Sequence, residues 1–372
     1  AGMAAQDEAE LSLLECRVCF EPYGPSGGRR PRNLPCGHVL CGDCLRGLAG
    51  RGRTECPFCR RPFGPADTSE CRPLLQLLEL LGPAGRLVPT PGPGLRQCLG
   101  GWGSLLNPAG LSACRHTGRL AVAHDGKKRI HVFGPGGLCL QRFGERGVAG
   151  SDVRYPLDVA VTPGGHVVVT DGGDRSVKAF DWEGRAVLAA REGFRLPWGV
   201  DATPEGEVVV SDSEAGALFR ISADFGRGEL KKCRLLLARL VSPRAVAVCR
   251  GSGSVAVVEH LRARGADGGS TRVKVFSADM QLLGQVDGFG LSLLFHSSMY
   301  ATAVAFDGEG RVVVTDVRGR AVICLGKPEE FPAFQPLISH GLSYPVGLAY
   351  AADDSLVVLD GGDHSIKIYS ST

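Results

Sequence analysis

The stretch Val167-Val168-Val169-Thr170-Asp171 is one of a set. It returns as Val208-Val209-Val210-Ser211-Asp212, as Val312-Val313-Val314-Thr315-Asp316 and as Leu356-Val357-Val358-Leu359-Asp360, with looser copies closing at Asp125 and Glu259. Ahead of each copy stands an apolar start and a glycine turn. The starts are Asn107-Pro108, Tyr155-Pro156, Leu196-Pro197, Ser242-Pro243 and Tyr344-Pro345, with Ala301-Thr302 as a degenerate version. Behind each copy comes another segment, such as Val177-Lys178-Ala179-Phe180 or Ile366-Lys367-Ile368-Tyr369, whose alternation of apolar and polar residues marks a half-buried strand. Six copies at a period of about 45 residues, each built of short strands, are the arithmetic of a propeller with four strands per blade. A parallel β-helix or a sandwich would not give this period.

One end of the ring is short of a strand. Earlier blades run on into a fourth strand and a glycine turn, as in Leu138-Cys139-Leu140-Gln141-Arg142-Phe143-Gly144, whereas the sixth stops near Tyr369. The segment Leu95-Arg96-Gln97-Cys98-Leu99-Gly100 matches the missing strand and stands before the first blade. Residues 95–99 are therefore expected to complete the last blade, so that the propeller spans 95–372.

Upstream the chemistry changes. Seven of the 14 cysteines fall within residues 16–59, in the order Cys16-x2-Cys19, Cys36-x-His38-x2-Cys41-x2-Cys44 and Cys56-x2-Cys59. A CxxC pair sits on a tight turn so that both thiolates reach one tetrahedral Zn²⁺, and eight ligands make two closed, structural sites with no position left for water. So small a core would draw most of its folding free energy from the metal. Two unrelated zinc ribbons would not require a single histidine at the fourth ligand position.

This ligand order resembles the RING family. A PHD-type finger would place its histidine at the fifth ligand. In RING domains the pairs interleave in a cross-brace, which implies that Cys16, Cys19, Cys41 and Cys44 hold one zinc and Cys36, His38, Cys56 and Cys59 the other. The family's activity is that of a ubiquitin ligase without a covalent ubiquitin intermediate: the domain holds a ubiquitin-charged conjugating enzyme in a reactive pose, which is catalysis by positioning. The resemblance assigns Val18, Leu48 and Pro57 to the conjugating-enzyme contact. It makes Arg60 the cation that bridges the conjugating enzyme and ubiquitin, a task suited to a planar guanidinium with several donors. Ordinary packing for the three apolar residues, and a solvated Arg60-Arg61 pair, are the plainer alternatives.

Between the two modules, Asp67-Thr68-Ser69-Glu70 reads as a helix start with carboxylates placed to offset the helix dipole. Leu74, Leu75, Leu77, Leu78, Leu80 and Leu81 then suggest one short helix over 66–81, packed on the RING domain of residues 1–65. RING dimerisation through these leucines is the other reading. The Pro- and Gly-rich residues 82–94 read as a semi-stiff linker. No B-box or coiled coil follows, in contrast to tripartite-motif ligases. The remaining cysteines show no ligand spacing and read as buried or incidental thiols. The acids closing the Val-rich strands read as turn stabilisers rather than metal ligands. Some six-bladed propellers are lyases with three channel histidines on zinc, but here His124 stands alone among the equivalent positions.

Charge narrows the partner class. The chain of 372 residues carries 42 basic and 39 acidic side chains, of which 12 and 10 fall in residues 1–98, leaving a near-neutral 30 against 29 beyond. That balance does not point to nucleic acid. No apolar run reaches the roughly 18–20 residues that a membrane span needs, and the acidic N-terminus lacks the grammar of a signal peptide. An intracellular, reducing compartment is expected, where clustered cysteines bind metal rather than pair.

The repeat motif resembles the NHL repeat, so the fold class is a small two-zinc RING domain plus an all-β six-bladed NHL propeller. RING, short helix and six NHL repeats together are similar to the malin family of ubiquitin ligases. Segments such as Glu55-Cys56-Pro57-Phe58-Cys59-Arg60-Arg61 and Met280-Gln281-Leu282-Leu283-Gly284-Gln285-Val286 carry the likeness. The resemblance implies that the propeller recruits a protein for ubiquitination and degradation. By family it implies the glycogen phosphatase laforin, substrates among glycogen-metabolism proteins, and cytoplasmic, nuclear and endoplasmic-reticulum-associated locations. An RNA-binding NHL regulator and a scaffold with an inactive RING are the competing classes. Irregular insertions at Arg262–Ser270 and Phe289–Tyr300 are the first places to seek a partner surface.

Overall fold

A computed structural model describes residues 15–50, 55–64, 67–72, 74, 75, 78, 93–147, 149–191, 193–261, 269–287, 299–331 and 335–370. The chain divides into two compact units, residues 1–90 and 91–372. The stretches 262–268 and 288–298, which hold most of the two insertions singled out above, lie outside the described residues, as does most of the linker.

Among its described residues the first unit holds a three-stranded antiparallel sheet and a nine-residue helix. Strand β1 (Pro31–Asn33) lies between β2 (Val39–Cys41) and β3 (Ser69–Glu70), and helix α1 (Gly42–Gly50) follows β2 directly. Asp43 in the first turn of α1 suits the helix dipole, and Leu45 is its buried anchor. The core gathers Tyr23, Leu34, Leu40, Leu45, Phe63 and Leu78 around Cys16, Cys41 and Cys56.

Here the expected helix start is corrected. Ser69 and Glu70 are not helical; they pair with Asn33 and Arg32 as β3. Helical backbone appears at Arg72, Leu74, Leu75 and Leu78, while Leu77, Leu80 and Leu81 lie outside the described residues. The free edge of β1 competes for the same backbone and wins, since Arg32 donates to the Thr68 carbonyl and Arg30 pairs with Glu70. Leu75 and Leu78 are buried and Leu74 packs on the RING core.

The second unit contains six four-stranded antiparallel sheets among the described residues. Blade one is β5 (Gly110–Ala113), β6 (Leu120–Ala123), β7 (Lys128–Phe133) and β8 (Cys139–Glu145). Blade two is β9 (Pro156–Val161), β10 (Val167–Asp171), β11 (Ser176–Phe180) and β12 (Ala186–Ala190). Blade three is β13 (Pro197–Ala202), β14 (Val208–Asp212), β15 (Ala217–Asp224) and β16 (Glu229–Leu237). Blade four is β17 (Pro243–Val248), β18 (Val255–Leu261), β19 (Ser270–Phe276) and β20 (Leu282–Asp287). Blade five is β21 (Ala301–Phe306), β22 (Val312–Asp316), β23 (Ala321–Gly326) and β24 (Gln335–Ile338). Blade six is β25 (Pro345–Tyr350), β26 (Leu356–Asp360) and β27 (Ser365–Tyr369), and its outer strand is β4 (Leu95–Gly100), paired antiparallel with β27.

The innermost strand of each blade packs against that of the next, and the sixth against the first, so the ring is closed. Burial explains the closure. The second strand of every blade is covered on both faces, and an apolar cluster fills each gap between neighbouring blades. The gap between blades six and one holds Leu99 of β4 with Leu111, Leu359 and Ile366. A channel of about 500 Å³ runs between the inner strands. Neighbouring blades are also stitched together along its wall, since Asp158 accepts from the Val200 N–H and Asp201 from the Val248 N–H.

Candidate metal centres

The metal-binding candidates sit on two matching turns. In the first, the Phe20 N–H donates to the Cys16 carbonyl and the Cys16 N–H to the Glu21 carbonyl. In the second, the Arg60 N–H donates to the Cys56 carbonyl and the Cys56 N–H to the Arg61 carbonyl. Both turns end on a non-glycine residue in the left-handed region, Phe20 at φ 57° and Arg60 at φ 58°. The two CxxC pairs are thus one knuckle built twice. Cys41 closes β2 and Cys44 lies in the first turn of α1, so the start of the helix sets the spacing of that pair.

These elements bring the eight residues into two groups. Cys16, Cys19, Cys41 and Cys44 form one, and Cys36, His38, Cys56 and Cys59 the other, with the ligand atoms of each group within 4.8 Å of one another. Among the described residues no third group of this kind occurs. The fit to zinc is quantitative. A tetrahedron with Zn–S near 2.3 Å has an S–S edge of about 3.8 Å and an S–N edge of about 3.6 Å. The Cys19 and Cys41 sulfurs are 3.9 Å apart, and His38 Nδ1 is 3.4 Å from Cys36 Sγ and 3.6 Å from Cys56 Sγ. Nδ1 is therefore the histidine atom that faces the second centre. The Cys41 N–H points at Cys16 Sγ and the Cys44 N–H at Cys41 Sγ, which favours thiolates. Burial, then the crowding of neighbouring cysteines, pushes the Cys44 thiol up. Thiolates packed this closely call for a cation between them.

The residues assigned to the conjugating-enzyme contact sit in different surroundings. Val18 and Pro57 occupy the knuckles and are exposed, as is Arg60, while Leu48 on α1 is half-buried against the core. Reasoning from spacing missed two aromatic rings beside them. Phe20 is 76% exposed at the end of the first knuckle, and Phe58 is 41% exposed and leans on His38 at 5.2 Å. An aromatic residue within or just after a CxxC pair was the available signal.

The propeller offers no comparable centre among its described residues. The closing acids are spent on backbone: Asp212 accepts from the Arg195, Leu196 and Ala215 N–H groups, and Asp360 from those of Ser343, Tyr344 and Gly362 and from Lys367. Blade one departs from the sequence reading. His124, not Asp125, occupies the closing position, because His124 lies opposite Arg129 as Asp171 lies opposite Ser176. His124 does not line the channel. Of the cysteines outside the knuckles, Cys114, Cys249 and Cys324 are buried and Cys98 is exposed.

Residues 15–61 match the zinc-RING finger domain family. Human E3 ubiquitin-protein ligase NHLRC1 is 52% identical over 374 residues, covering 97% of this chain and 94% of that protein. The mouse protein of the same name is 54% identical over 375 residues, covering 97% and 93%. Human E3 ubiquitin-protein ligase TRIM32 is 31% identical over 274 residues, 68% of this chain but 40% of that protein. Among solved structures, U3-55K superposes with a TM-score of 0.57 at 10% identity, covering 75% of this chain and 100% of that one. Virginiamycin B lyase from Staphylococcus aureus does so at 0.51 and 9%, covering 74% and 99%. These two likenesses concern the propeller fold alone. With a zinc-RING finger, a closed ring of blades and relatives matched over nearly their whole length, the chain belongs to the malin family, the E3 ubiquitin-protein ligases named NHLRC1.

Proposed function

We propose that the eight clustered residues are the structural zinc ligands of a ligase whose working surface is the pair of knuckles. Val18, Leu48 and Pro57 grip a ubiquitin-conjugating enzyme. Arg60 donates to both that enzyme and ubiquitin and so restrains the thioester in a reactive pose. The zinc ions supply shape. This chain's residues supply orientation, and no bond to ubiquitin forms on it. The propeller recruits the protein to be modified and degraded. By family resemblance that partner is laforin, the substrates are proteins of glycogen metabolism, and the sites of action are the cytoplasm, the nucleus and the endoplasmic-reticulum surface. No helix among the described residues is long and apolar enough to cross a membrane.

The observation that carries this reading is the position of Arg60. It directly follows the last ligand, is exposed, and holds a left-handed backbone that a longer side chain adopts only at a cost of roughly 1–2 kcal/mol. The test is self-ubiquitination with a panel of conjugating enzymes, comparing the parent with His38→Ala and Arg60→Ala. Loss with His38→Ala and weakened transfer with Arg60→Ala are expected; full activity in both would refute the assignment.

A further inference from the structure

One end of the propeller differs chemically from the other. At that end each inner strand begins, and the turn between the second and third strands lies beside it. The two are tied in every blade: the N–H groups of Asp125, Gly172, Ser213, His260, Val317 and Gly361 donate to the carbonyls of Leu106, Tyr155, Leu196, Ser242, Tyr300 and Tyr344. This repeated bond places one residue per blade around the channel mouth at the same height. Five of the six positions are apolar, and three of those stand in solvent, Leu106 and Tyr344 at 47% and Tyr155 at 57%, while Leu196 and Tyr300 are half-buried; beside Ser242, the polar member, Val241 is 42% exposed. Trp102 joins them at 74%, with one face laid on His364 at 3.8 Å.

Cations are interleaved with this collar. Arg154, Arg175, Arg195, Arg239 and Arg320 are exposed there and form no ion pair among the described residues. The acids beside them are spoken for, since Asp174 and Asp363 are held by Lys178 and Lys367, and Asp152 caps the Ala149 N–H. Glu214 is the exposed exception. Moreover, Arg175, Arg239 and Arg320 adopt left-handed backbone at φ 59°, 66° and 50°, where blade three uses Gly216 at the place of Arg175. An arginine kept where glycine would be unstrained points to a use for its side chain.

We infer that this collar is the docking face of the propeller and that its occupant is an acidic protein segment bearing aromatic or aliphatic anchors. The inference deepens, and rests on, the reading that the propeller recruits a protein. Exposed Trp, Tyr and Arg side by side are the residues that dominate protein–protein contacts. Unpaired guanidinium groups call for carboxylates on the partner. Leu106 and Val241 offer no π-face for a base, and the propeller as a whole is near neutral, so the chemistry favours an acidic peptide over a nucleic acid.

The test uses the full chain and four proteins: the parent, Arg154→Glu/Arg195→Glu, Tyr155→Ser/Tyr344→Ser, and Arg250→Glu/Lys327→Glu. The last pair makes the same charge change in exposed turns at the opposite end of the ring. Binding of a poly(Glu,Tyr) copolymer and of polyuridine is measured by fluorescence anisotropy at physiological salt, with thermal melting as the check on fold. If the arginine pair fails to fold, Arg154→Gln/Arg195→Gln replaces it. The copolymer is expected to bind the parent, to lose at least 10-fold in affinity with each collar pair, and to be unaffected by the opposite pair. Equal losses in all variants, no loss in the collar pairs, no copolymer binding at all, or tighter binding of polyuridine through the same residues would overturn the inference. Self-ubiquitination is read on the same samples. Its absence in the parent would count against the ligase reading and leave the copolymer result to judge the collar.

Discussion

His124 in blade one stands where Asp171 stands in blade two. Asp171 accepts from the N–H groups of Arg154, Tyr155 and Gly173 and is paired with the buried Lys178 at 2.7 Å. His124 Nδ1 accepts from the N–H groups of Leu106 and Gly126, both at 3.2 Å. His131 pairs with Val122 as Lys178 pairs with Val169, and from that register its ring lies 4.1 Å from that of His124. A neutral pair of imidazoles has replaced a buried ion pair.

The two clamps should differ in cost when broken. Asp171→Ala leaves a fully buried ammonium without its first partner, so a loss of about 3–5 kcal/mol is expected. His124→Ala leaves two backbone N–H groups unsatisfied, which corresponds to about 1–3 kcal/mol. Denaturant unfolding of the propeller, read side by side for the two variants, checks the order.

The imidazole pair also sets a pH response. Burial, the first cause in each, lowers His124 to about 4 and His131 to about 3, the latter helped by His124 itself and Arg142. Groups held neutral in the folded state contribute stability fully above the ordinary histidine value of about 6.5 and lose it as pH falls toward their folded values. Asp158, raised to about 7 by burial and held down in part by the Val200 and Val159 N–H groups, acts with the opposite sign in the same window. The parent's slope is thus a difference. His124→Asn/His131→Gln keeps an acceptor and removes two titrations. Its melting temperature should fall less than the parent's between pH 7 and pH 5, and identical slopes would contradict the assignment.

Arg60 should separate chemistry from folding. Arg60→Ala and Arg60→Gly both remove the cation, and glycine also relieves the left-handed backbone. Self-ubiquitination is expected to drop on the order of 10-fold or more in both, the scale of a lost positioning contact. Zinc content should stay at two per chain. Activity retained in Arg60→Gly alone would mean that backbone strain, not charge, is what matters there.

Metal removal should divide the molecule. Chelation is expected to unfold the RING unit, whose small core is organised around Cys16, Cys41 and Cys56, and to leave the propeller transition in place. Circular dichroism with stoichiometric zinc release reports both. One cooperative transition that moves with zinc would show that the two units fold together.

Ring closure rests on β4. Leu99 is buried in the cluster shared by blades six and one, so Leu99→Ala should cost about 2–4 kcal/mol. Removing residues before 101 should cost more and expose the edge of β27, with self-association as the symptom. Gel filtration and thermal melting measure the two effects.

Much of this architecture is written in local spacing. Val-rich strands closed by acids, at a steady period, are enough for blades, because a strand between two neighbours must be apolar on both faces. Ligand spacing is enough for two metal sets, because a CxxC turn can present its sulfurs in few ways. Other features depend on segments that meet only after folding. Ser69 and Glu70 became a strand because β1 offered an unpaired edge 36 to 38 residues away. His124 rather than Asp125 closes blade one because pairing with Arg129, not the identity of the acid, decides which side chain turns inward. The collar is the strongest case. Leu106, Tyr155 and Tyr344 are unremarkable apolar residues in isolation, and only closure of the ring brings them to one rim with unpaired arginines between them. Periodicity is imposed by near neighbours along the chain, whereas a binding face is made by the way distant strands begin at the same end.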